Sequence, residues 1–249
     1  MKSLDELINN DDPGWPIVLD WISGATNHVM VLPSSHPQRE EALLGTQMTT
    51  RSILGAVVYE TGGMLVDHGW LRILGSGHPQ LPRSFADWNR SVQPGWPYEV
   101  PYLLVADDVL GGFFVQDNGA LGDPCKIFYL APDSLEFENL GVGYSDFVYQ
   151  FCLNGDIDEY YSPHRWSGWQ DDIAALKGDQ VMLTFPPLWT KPIVRSHALM
   201  GRSRDPVHVK EAYEMLLFQM EEMADVPNGS IVVLSAGGDS PEEPDEPPS

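Results

Sequence analysis

Four short apolar runs between Tyr102 and Glu138 constrain the fold of this chain more than any other feature. Gly, Asp, Asn and Pro separate the runs, which is typical of neighbouring antiparallel strands. The runs predict strands near Tyr102–Val105, Gly112–Gln116, Lys126–Leu130 and Ser134–Glu138. After the second run, Asp117-Asn118-Gly119 predicts a tight turn, because Asn-Gly readily adopts the positive φ that such turns need.

A helix is predicted directly after these strands. Ser145 is placed to cap its first turn, and Phe147 and Phe151 recur at the spacing of one buried helical face. Asn154-Gly155 ends the helix, and Asp156–Tyr161 is predicted to form a further turn. Strands followed by a helix predict a small antiparallel sheet that the helix covers.

The remaining segments predict further helices and strands on both sides of this block. The predicted helices start at Ser3, run from Trp15 to Ile22, occupy Pro37–Tyr59 as one broken or two consecutive helices, follow Ser84, and extend from Val207 to Met223. The predicted strands are two short strands or one bent strand around Gly69, then Gln180–Phe185 and Ser230–Leu234. Together they predict an α+β fold with a mixed or antiparallel central sheet, helices mainly on one face and a C-terminal extension.

The length of 249 residues suits one well-buried domain. We predict a single α+β domain over residues 1–236, with its core at about 52–162. Residues 237–249 contain no apolar residue beyond Pro and Gly and carry five acidic residues without Lys or Arg. That composition predicts a disordered acidic, Pro-rich tail.

The chain is strongly acidic, with 36 Asp and Glu against 14 Lys and Arg and a net charge of −22. Nucleic acids and anionic membrane surfaces are therefore poor partners, because binding phosphates requires Lys and Arg. A basic protein partner is electrostatically favoured. The alternative is that the acidity serves solubility alone.

The N-terminus has no signal-peptide pattern, and the apolar runs are too short to span a bilayer. Cys125 and Cys152 form no CxxC pair and no disulfide framework. These features predict a cytoplasmic protein.

No catalytic motif, metal-ligand pattern or cofactor motif is recognisable, so no cofactor is expected. The seven histidines form neither an HxH nor an HExxH pattern. The Gly143–Phe147 segment lacks the second glycine of a nucleophile elbow, which favours a capping interpretation of Ser145. The remaining alternative is a small-ligand binder or hydrolase-like enzyme, whose site requires five residues to converge: Asp67, His68, His78, Asp107 and Asp108.

Acidic pairs followed by aromatic residues are the best candidates for contact with a basic partner, because aromatic residues are enriched at the centre of interfaces. The predicted binding residues are Asp107, Asp108, Asp156, Asp158, Glu159, Tyr160, Trp166 and Trp169. The alternative is that the acids lie on solvated faces and turns, while the aromatic residues pack a loop onto the core.

The ordered motifs GGMLVDHGWLRILGSG, DWN, YLLVADDVLGGFF and RWSGW resemble the bacterial domain-of-unknown-function family 2625, over roughly Leu54 to Lys191. Gly62-Gly63, Ala106-Asp107-Asp108 and Phe147–Leu153 are also similar in order to the SUKH (Smi/Knr-like) superfamily. That second resemblance implies an α+β core and a binding module, because many SUKH members are bacterial immunity proteins that neutralise toxins. The resulting hypothesis is a cytoplasmic, non-enzymatic inhibitor of a basic toxin domain.

Overall fold

The computed structural model describes residues 1–190, 202–227 and 230. The strands in these residues are β1 (Val29–Pro33), β2 (Thr61–Val66), β3 (Leu71–Leu74), β4 (Tyr102–Asp108), β5 (Phe113–Asp117), β6 (Lys126–Leu130), β7 (Phe137–Gly143), β8 (Gln180–Phe185) and β9 (Ser203–His208). Strands β1 to β7 form one antiparallel sheet in which each strand pairs with the next along the chain. Strands β8 and β9 form a separate antiparallel pair.

The helices surround this sheet. They are α1 (Leu4–Leu7), α2 (Trp15–Ser23), α3 (Gln38–Thr46), α4 (Ile53–Glu60), α5 (Phe85–Val92), α6 (Tyr144–Asp146), α7 (Ile157–Tyr161), α8 (Trp169–Ala175) and α9 (Val209–Met223). Helix α6 continues without a break as a π-helix over Phe147–Leu153. Short 3₁₀ turns occupy Asp67–Gly69 and Ser162–His164.

Both faces of the sheet are buried, as the neighbouring residues Phe113 and Phe114 of β5 show. Successive side chains of a strand point to opposite faces. The Phe113 ring contacts Trp88 of α5 and Tyr213 of α9, at centroid distances of 6.3 and 5.0 Å. The Phe114 ring contacts Phe147 of the π-helix at 4.9 Å. Helices on opposite sides of the sheet therefore share one strand as their base.

Asn89 of α5 completes the edge of β4 where β3 is too short to reach it. Strand β3 pairs with β4 only as far as Ala106. The Asn89 amide donates to the Leu104 carbonyl at 2.9 Å, and its oxygen accepts from the Leu104 N–H at 2.8 Å. Because Asn89 is fully buried, water cannot replace these bonds.

The α+β class and the antiparallel sheet are confirmed, and so are the two consecutive helices predicted over Pro37–Tyr59. Two short strands do flank Gly69. The predicted strand at Gln180–Phe185 is observed with the same bounds. The predicted C-terminal helix is also present, as α9.

Three local predictions were wrong. Gly143, not Ser145, is the N-cap residue of α6, and Ser145 lies within the first turn. The Asp156–Tyr161 segment forms helix α7 rather than a turn. The fourth strand of the block begins three residues later than predicted and runs to Gly143.

The connection after β5 is a loop instead of a two-residue turn. The Asp117 carboxylate organises it by accepting from the backbone N–H groups of Gly119, Leu121 and Asp123 at 2.7–3.0 Å. Gly119 has the positive φ that the sequence predicts. These hydrogen bonds lower the pKa of Asp117 by favouring its charged form.

Two predictions concern the C-terminal end of the chain. Residues 231–234 of the predicted strand Ser230–Leu234 and the whole predicted disordered tail 237–249 lie outside the described residues.

Replacing Asn89 with Ala leaves both backbone groups of Leu104 buried and without partners. We expect Asn89→Ala to lower the free energy of unfolding by about 3 kcal/mol, since each orphaned buried group costs about 1–3 kcal/mol. Urea denaturation measures the difference, with Asn10→Ala at an exposed position as the matched control. Equal midpoints for the two variants would contradict this account of the β4 edge.

Candidate functional site

Two adjacent aspartates, Asp107 and Asp108, end strand β4 and are completely buried. Asp107 lies opposite Arg72 of β3 and Phe113 of β5, so these three side chains share one face of the sheet. Asp108 therefore points to the other face. A buried charge is costly unless it is paired and hydrogen-bonded, so each carboxylate requires its own set of partners.

Asp107 lies between two arginines. Arg72 Nε donates to its Oδ1 at 2.5 Å, and Arg83 donates to its Oδ2. The same guanidinium groups also reach β8 and the chain before it: Arg72 donates to the Gln180 carbonyl at the start of β8 at 2.6 Å, and Arg83 donates to the Gly178 carbonyl. Burial lowers the pKa of Arg83, and the charge of Asp107 opposes this shift. Asp107 thus joins the main sheet to the β8–β9 pair.

Asp108 accepts four hydrogen bonds on the opposite face. Its Oδ1 accepts from the backbone N–H groups of Leu110 and Gly112 at 2.9 and 3.0 Å. Its Oδ2 accepts from the hydroxyls of Tyr129 and Tyr161 at 2.7 and 3.0 Å. Burial raises the pKa of Asp108, and these hydrogen bonds oppose the rise. Burial and the charge of Asp108 also raise the pKa of both tyrosines well above its usual range, so they remain donors.

Gly112 allows Tyr129 to reach Asp108. A Cβ at residue 112 would lie 2.2 Å from the Tyr129 hydroxyl oxygen, far inside contact distance. The second glycine of the Gly111-Gly112 pair is therefore required by a side chain from the next strand rather than by its own backbone angle.

Helix α7 brings Tyr161 to this buried carboxylate. Asp156 caps the helix by accepting from the Glu159 N–H at 2.8 Å. Tyr161 points inward, whereas the neighbouring Tyr160 remains 39% exposed. The Tyr160 ring stands at 85° to that of Tyr161, with centroids 4.8 Å apart. Tyr161 thus anchors α7 to the core, while Tyr160 faces a cavity at the protein surface.

This cavity has a volume of about 180 Å³ and is the candidate binding site. Aromatic, acidic and apolar side chains surround it: Leu110, Tyr129, Pro132, Asp133, Glu138, Tyr160, Tyr161, His164 and Leu188. Strands β6 and β7, α7 and the turn after it all contribute residues. This lining suits a small cation better than an anion. Its two acidic side chains attract positive charge, and its tyrosine rings can also bind a cation.

Arg165 holds the chain after α7 against the body of the protein. Its guanidinium carbon lies 5.0 Å from the Trp70 ring centre and 4.4 Å from that of Trp169. The same group donates to the carboxylates of Asp67 and Asp158. Burial raises the pKa of Asp67, and the Arg165 charge opposes the rise. The RWSGW motif is therefore a structural clamp in which an arginine is enclosed by tryptophans and acids.

The predicted binding residues separate into internal and external groups. Asp107 and Asp108 have no exposed surface, and their oxygens are occupied by internal donors. Asp156, Asp158 and Glu159 are exposed on or beside α7. The accessible acidic surface is thus formed by the α7 acids and not by the Asp107-Asp108 pair.

The predicted aromatic residues lie close to this surface. Tyr160 lines the cavity. Trp166 is half-buried, and its indole N–H donates to the Asp172 carboxylate at 2.6 Å. Trp169 is half-buried beneath Arg165. The two tryptophans therefore pack a loop onto the core, which was the alternative interpretation of the sequence.

The histidines of the alternative enzyme site do not join the aspartates. The His68 ring stacks on His28, with centroids 4.5 Å apart, and His78 Nδ1 accepts from the Gln80 N–H. In the part of the chain that the structure describes, neither histidine is hydrogen-bonded to or ion-paired with Asp107 or Asp108. No group of three or more His, Cys, Asp and Glu side chains in that part could hold a metal ion.

Sequence reasoning missed the residues that define the cavity. They are Tyr129, Asp133, Glu138, Tyr161 and His164. A usable signal was present, because an acidic pair inside an apolar strand requires buried partners, and tyrosine hydroxyls are suitable donors.

The comparisons with known proteins identify the family. A family model described as "Protein of unknown function DUF2625" matches residues 4–212, most of the chain. The chain belongs to this family. It is 40% identical to the uncharacterized protein YbfG of Escherichia coli K12 over 223 residues, covering 89% of this chain and 98% of YbfG. It is also 40% identical to an uncharacterized protein of Haemophilus influenzae over 216 residues, 86% of this chain and 93% of that protein.

The DUF2625 resemblance predicted from the motifs is confirmed. No solved structure matches the chain, so the similarity to the SUKH superfamily stays a prediction. None of the helices within the described residues has the length and apolarity needed to cross a bilayer.

The Asp107–arginine group should contribute far more to stability than a surface pair. We expect Asp107→Asn to lower the free energy of unfolding by about 3–5 kcal/mol, because two guanidinium groups lose a buried counter-ion. The matched control is Asp12→Asn, which removes an exposed pair with Arg51 and should cost at most about 1 kcal/mol. Urea denaturation distinguishes the two, and equal losses would show that Asp107 is not the buried link described above.

Asp108 should make stability fall as pH rises. A carboxyl whose pKa is raised on folding binds a proton more tightly when folded, so its ionisation destabilises the folded state. This loss begins near the ordinary value of 3.8 and is complete above the raised pKa. The unfolding free energy of Asp108→Asn relative to the wild type should therefore increase with pH when urea denaturation is repeated upward from about pH 4 to about pH 8. Parallel pH profiles would contradict the raised pKa.

Proposed function

We propose that this protein is a binding module for a basic protein, and that its contact surface is the acidic end formed by α7 and the β6–β7 connection. The main supporting observation is that the buried acidic residue is paired with arginines, whereas acidic residues at the surface are exposed. Buried Asp107 is neutralised by two arginines, whereas Asp133, Glu136, Glu138 and Glu159 remain exposed. A partner that approaches this end therefore contacts exposed carboxylates.

The two parts of the acidic end belong to one surface. Asp133 and Glu138 line the same cavity as Tyr160 of α7. The nearby Arg165 does not cancel their charge at the surface, because its side chain is only 10% exposed and is paired with Asp67 and Asp158. An approaching protein therefore meets carboxylates around a half-exposed tyrosine, a composition suited to lysine- and arginine-rich surfaces.

The finer proposal is an immunity-type inhibitor of a basic toxin domain. Toxins that act on nucleic acids need a basic groove for phosphates. An acidic protein can occupy such a groove, and complementary fields raise association rates by roughly 10–10³-fold. The motif order shared with the SUKH superfamily and the net charge of −22 support this proposal.

Charge reversal at the acidic end tests the proposal. The wild type and Glu136→Lys/Glu159→Lys are immobilised, exposed to lysate of the organism that encodes the protein, and washed at about 50 mM and about 500 mM salt, since salt screens surface charges. We expect the wild type to retain a basic protein at low salt only, and the variant to retain none. Expressing the wild-type gene should then protect cells against the captured protein.

The matched control reverses the same amount of charge elsewhere. Asp20→Lys/Glu41→Lys alters exposed acids of α2 and α3 and should retain the basic protein as the wild type does. Equal capture by all three proteins would contradict the proposal that the acidic end is the contact surface. Capture without protection would remove the immunity role but leave the binding function.

A further inference from the structure

The cavity beside α7 has properties that the surface proposal does not use. Its volume of about 180 Å³ is close to that of a 150 Å³ protein cavity known to hold benzene. Pockets for drug-sized ligands occupy roughly 300–1,000 Å³. The cavity therefore has room for one small group, such as the end of a long side chain.

Three tyrosines give this cavity an aromatic lining. The ring of Tyr160 stands nearly perpendicular to those of Tyr161 and Tyr129, with centroids 4.8 and 6.4 Å away. The hydroxyls of Tyr129 and Tyr161 both donate to Asp108, so a buried carboxylate lies behind the aromatic lining. Aromatic faces attract cations, and an anion behind them strengthens that attraction.

Acidic side chains complete the wall. Glu138 is exposed and accepts from the Ser134 hydroxyl at 2.9 Å, and the Asp133 side chain is 43% exposed. Asp133 and Glu138 line the cavity together with Tyr160. Burial, and then the charges of Asp108, Glu138 and Asp133, raise the pKa of Tyr160.

His164 also lines the cavity, next to Asp133. Its Nε2 lies 3.8 Å from Asp133 Oδ2, while its Nδ1 is shielded from solvent and has no hydrogen-bond partner. A buried polar atom without a partner is rare in folded proteins and requires an explanation.

We infer that this cavity binds an alkylammonium or guanidinium group. The carboxylates provide charge-assisted acceptors, and the tyrosine rings provide π-faces. Leu110, Pro132 and Leu188 offer apolar contact for the aliphatic stem. Resting on the proposed function, the natural occupant is one lysine or arginine side chain of the basic partner.

Small probes test the cavity without the partner. Agmatine and N-acetyl-lysine methylamide are titrated into the full chain, and N-acetyl-norleucine methylamide serves as the neutral control. We expect saturable binding of both cations by calorimetry and backbone amide NMR shifts confined to the cavity residues. The neutral probe should produce neither.

Two variants and a matched control identify the site. Glu138→Gln removes one carboxylate, and Tyr160→Leu removes one ring from the half-exposed position; each should weaken probe binding roughly tenfold. Glu41→Gln removes the same charge from α3 outside the cavity lining and should change probe binding by less than about twofold.

The outcomes separate this inference from the proposed function. Cation binding that Glu138→Gln weakens supports the cavity, even if no basic protein is captured from lysate, in which case the protein-binding function fails alone. Capture of a basic protein without probe binding leaves the proposed function standing and overturns the cavity. Equal weakening in Glu138→Gln and Glu41→Gln would show diffuse charge attraction and would also overturn it.

Discussion

Two adjacent buried carboxylates on opposite faces of one strand are the constraint on which the rest of this structure depends. A buried carboxyl group without its partners costs several kcal/mol, so the arginines of Asp107 and the neutral donors of Asp108 have to be in place before the fold is stable. Those donors come from β3, from the chain before α5, from β6 and from α7. The DUF2625 fold is thus assembled around polar partners in the middle of an otherwise apolar core.

The same arrangement separates the structural acids from the accessible ones. Arg72, Arg83 and Arg165 are all paired with buried or half-buried aspartates. The surface near α7 consequently keeps its negative charge. Tyr129 and Tyr161 connect the buried network to the surface cavity, because their hydroxyls donate to Asp108 while their rings line the cavity. A ligand in the cavity would therefore contact two side chains that are hydrogen-bonded to Asp108.

Strand and helix positions were predictable wherever periodicity was local. The strand at Gln180–Phe185 and the helices over Pro37–Tyr59 follow from side-chain spacing alone. Helix α7 was missed because five residues opened by Asp156 read equally well as a turn. The side chains that donate to the two aspartates could not be named, since they lie 21 to 53 residues away in the sequence. Such pairings depend on strand order and register, which only the folded chain reveals.

The bulge in β4 has a consequence for how the length of this strand can change during evolution. Leu104 lies opposite Val115 and Ala106 lies opposite Phe114, so Val105 has no residue facing it across the ladder. Deleting Val105 would close the bulge and keep both aspartates on their present faces. Deleting a residue between Ala106 and Asp108 would turn a carboxylate toward the wrong donors, because a one-residue shift exchanges the faces of a strand. A deletion in β4 should therefore disturb the two aspartates less at Val105 than at any of the three residues after it.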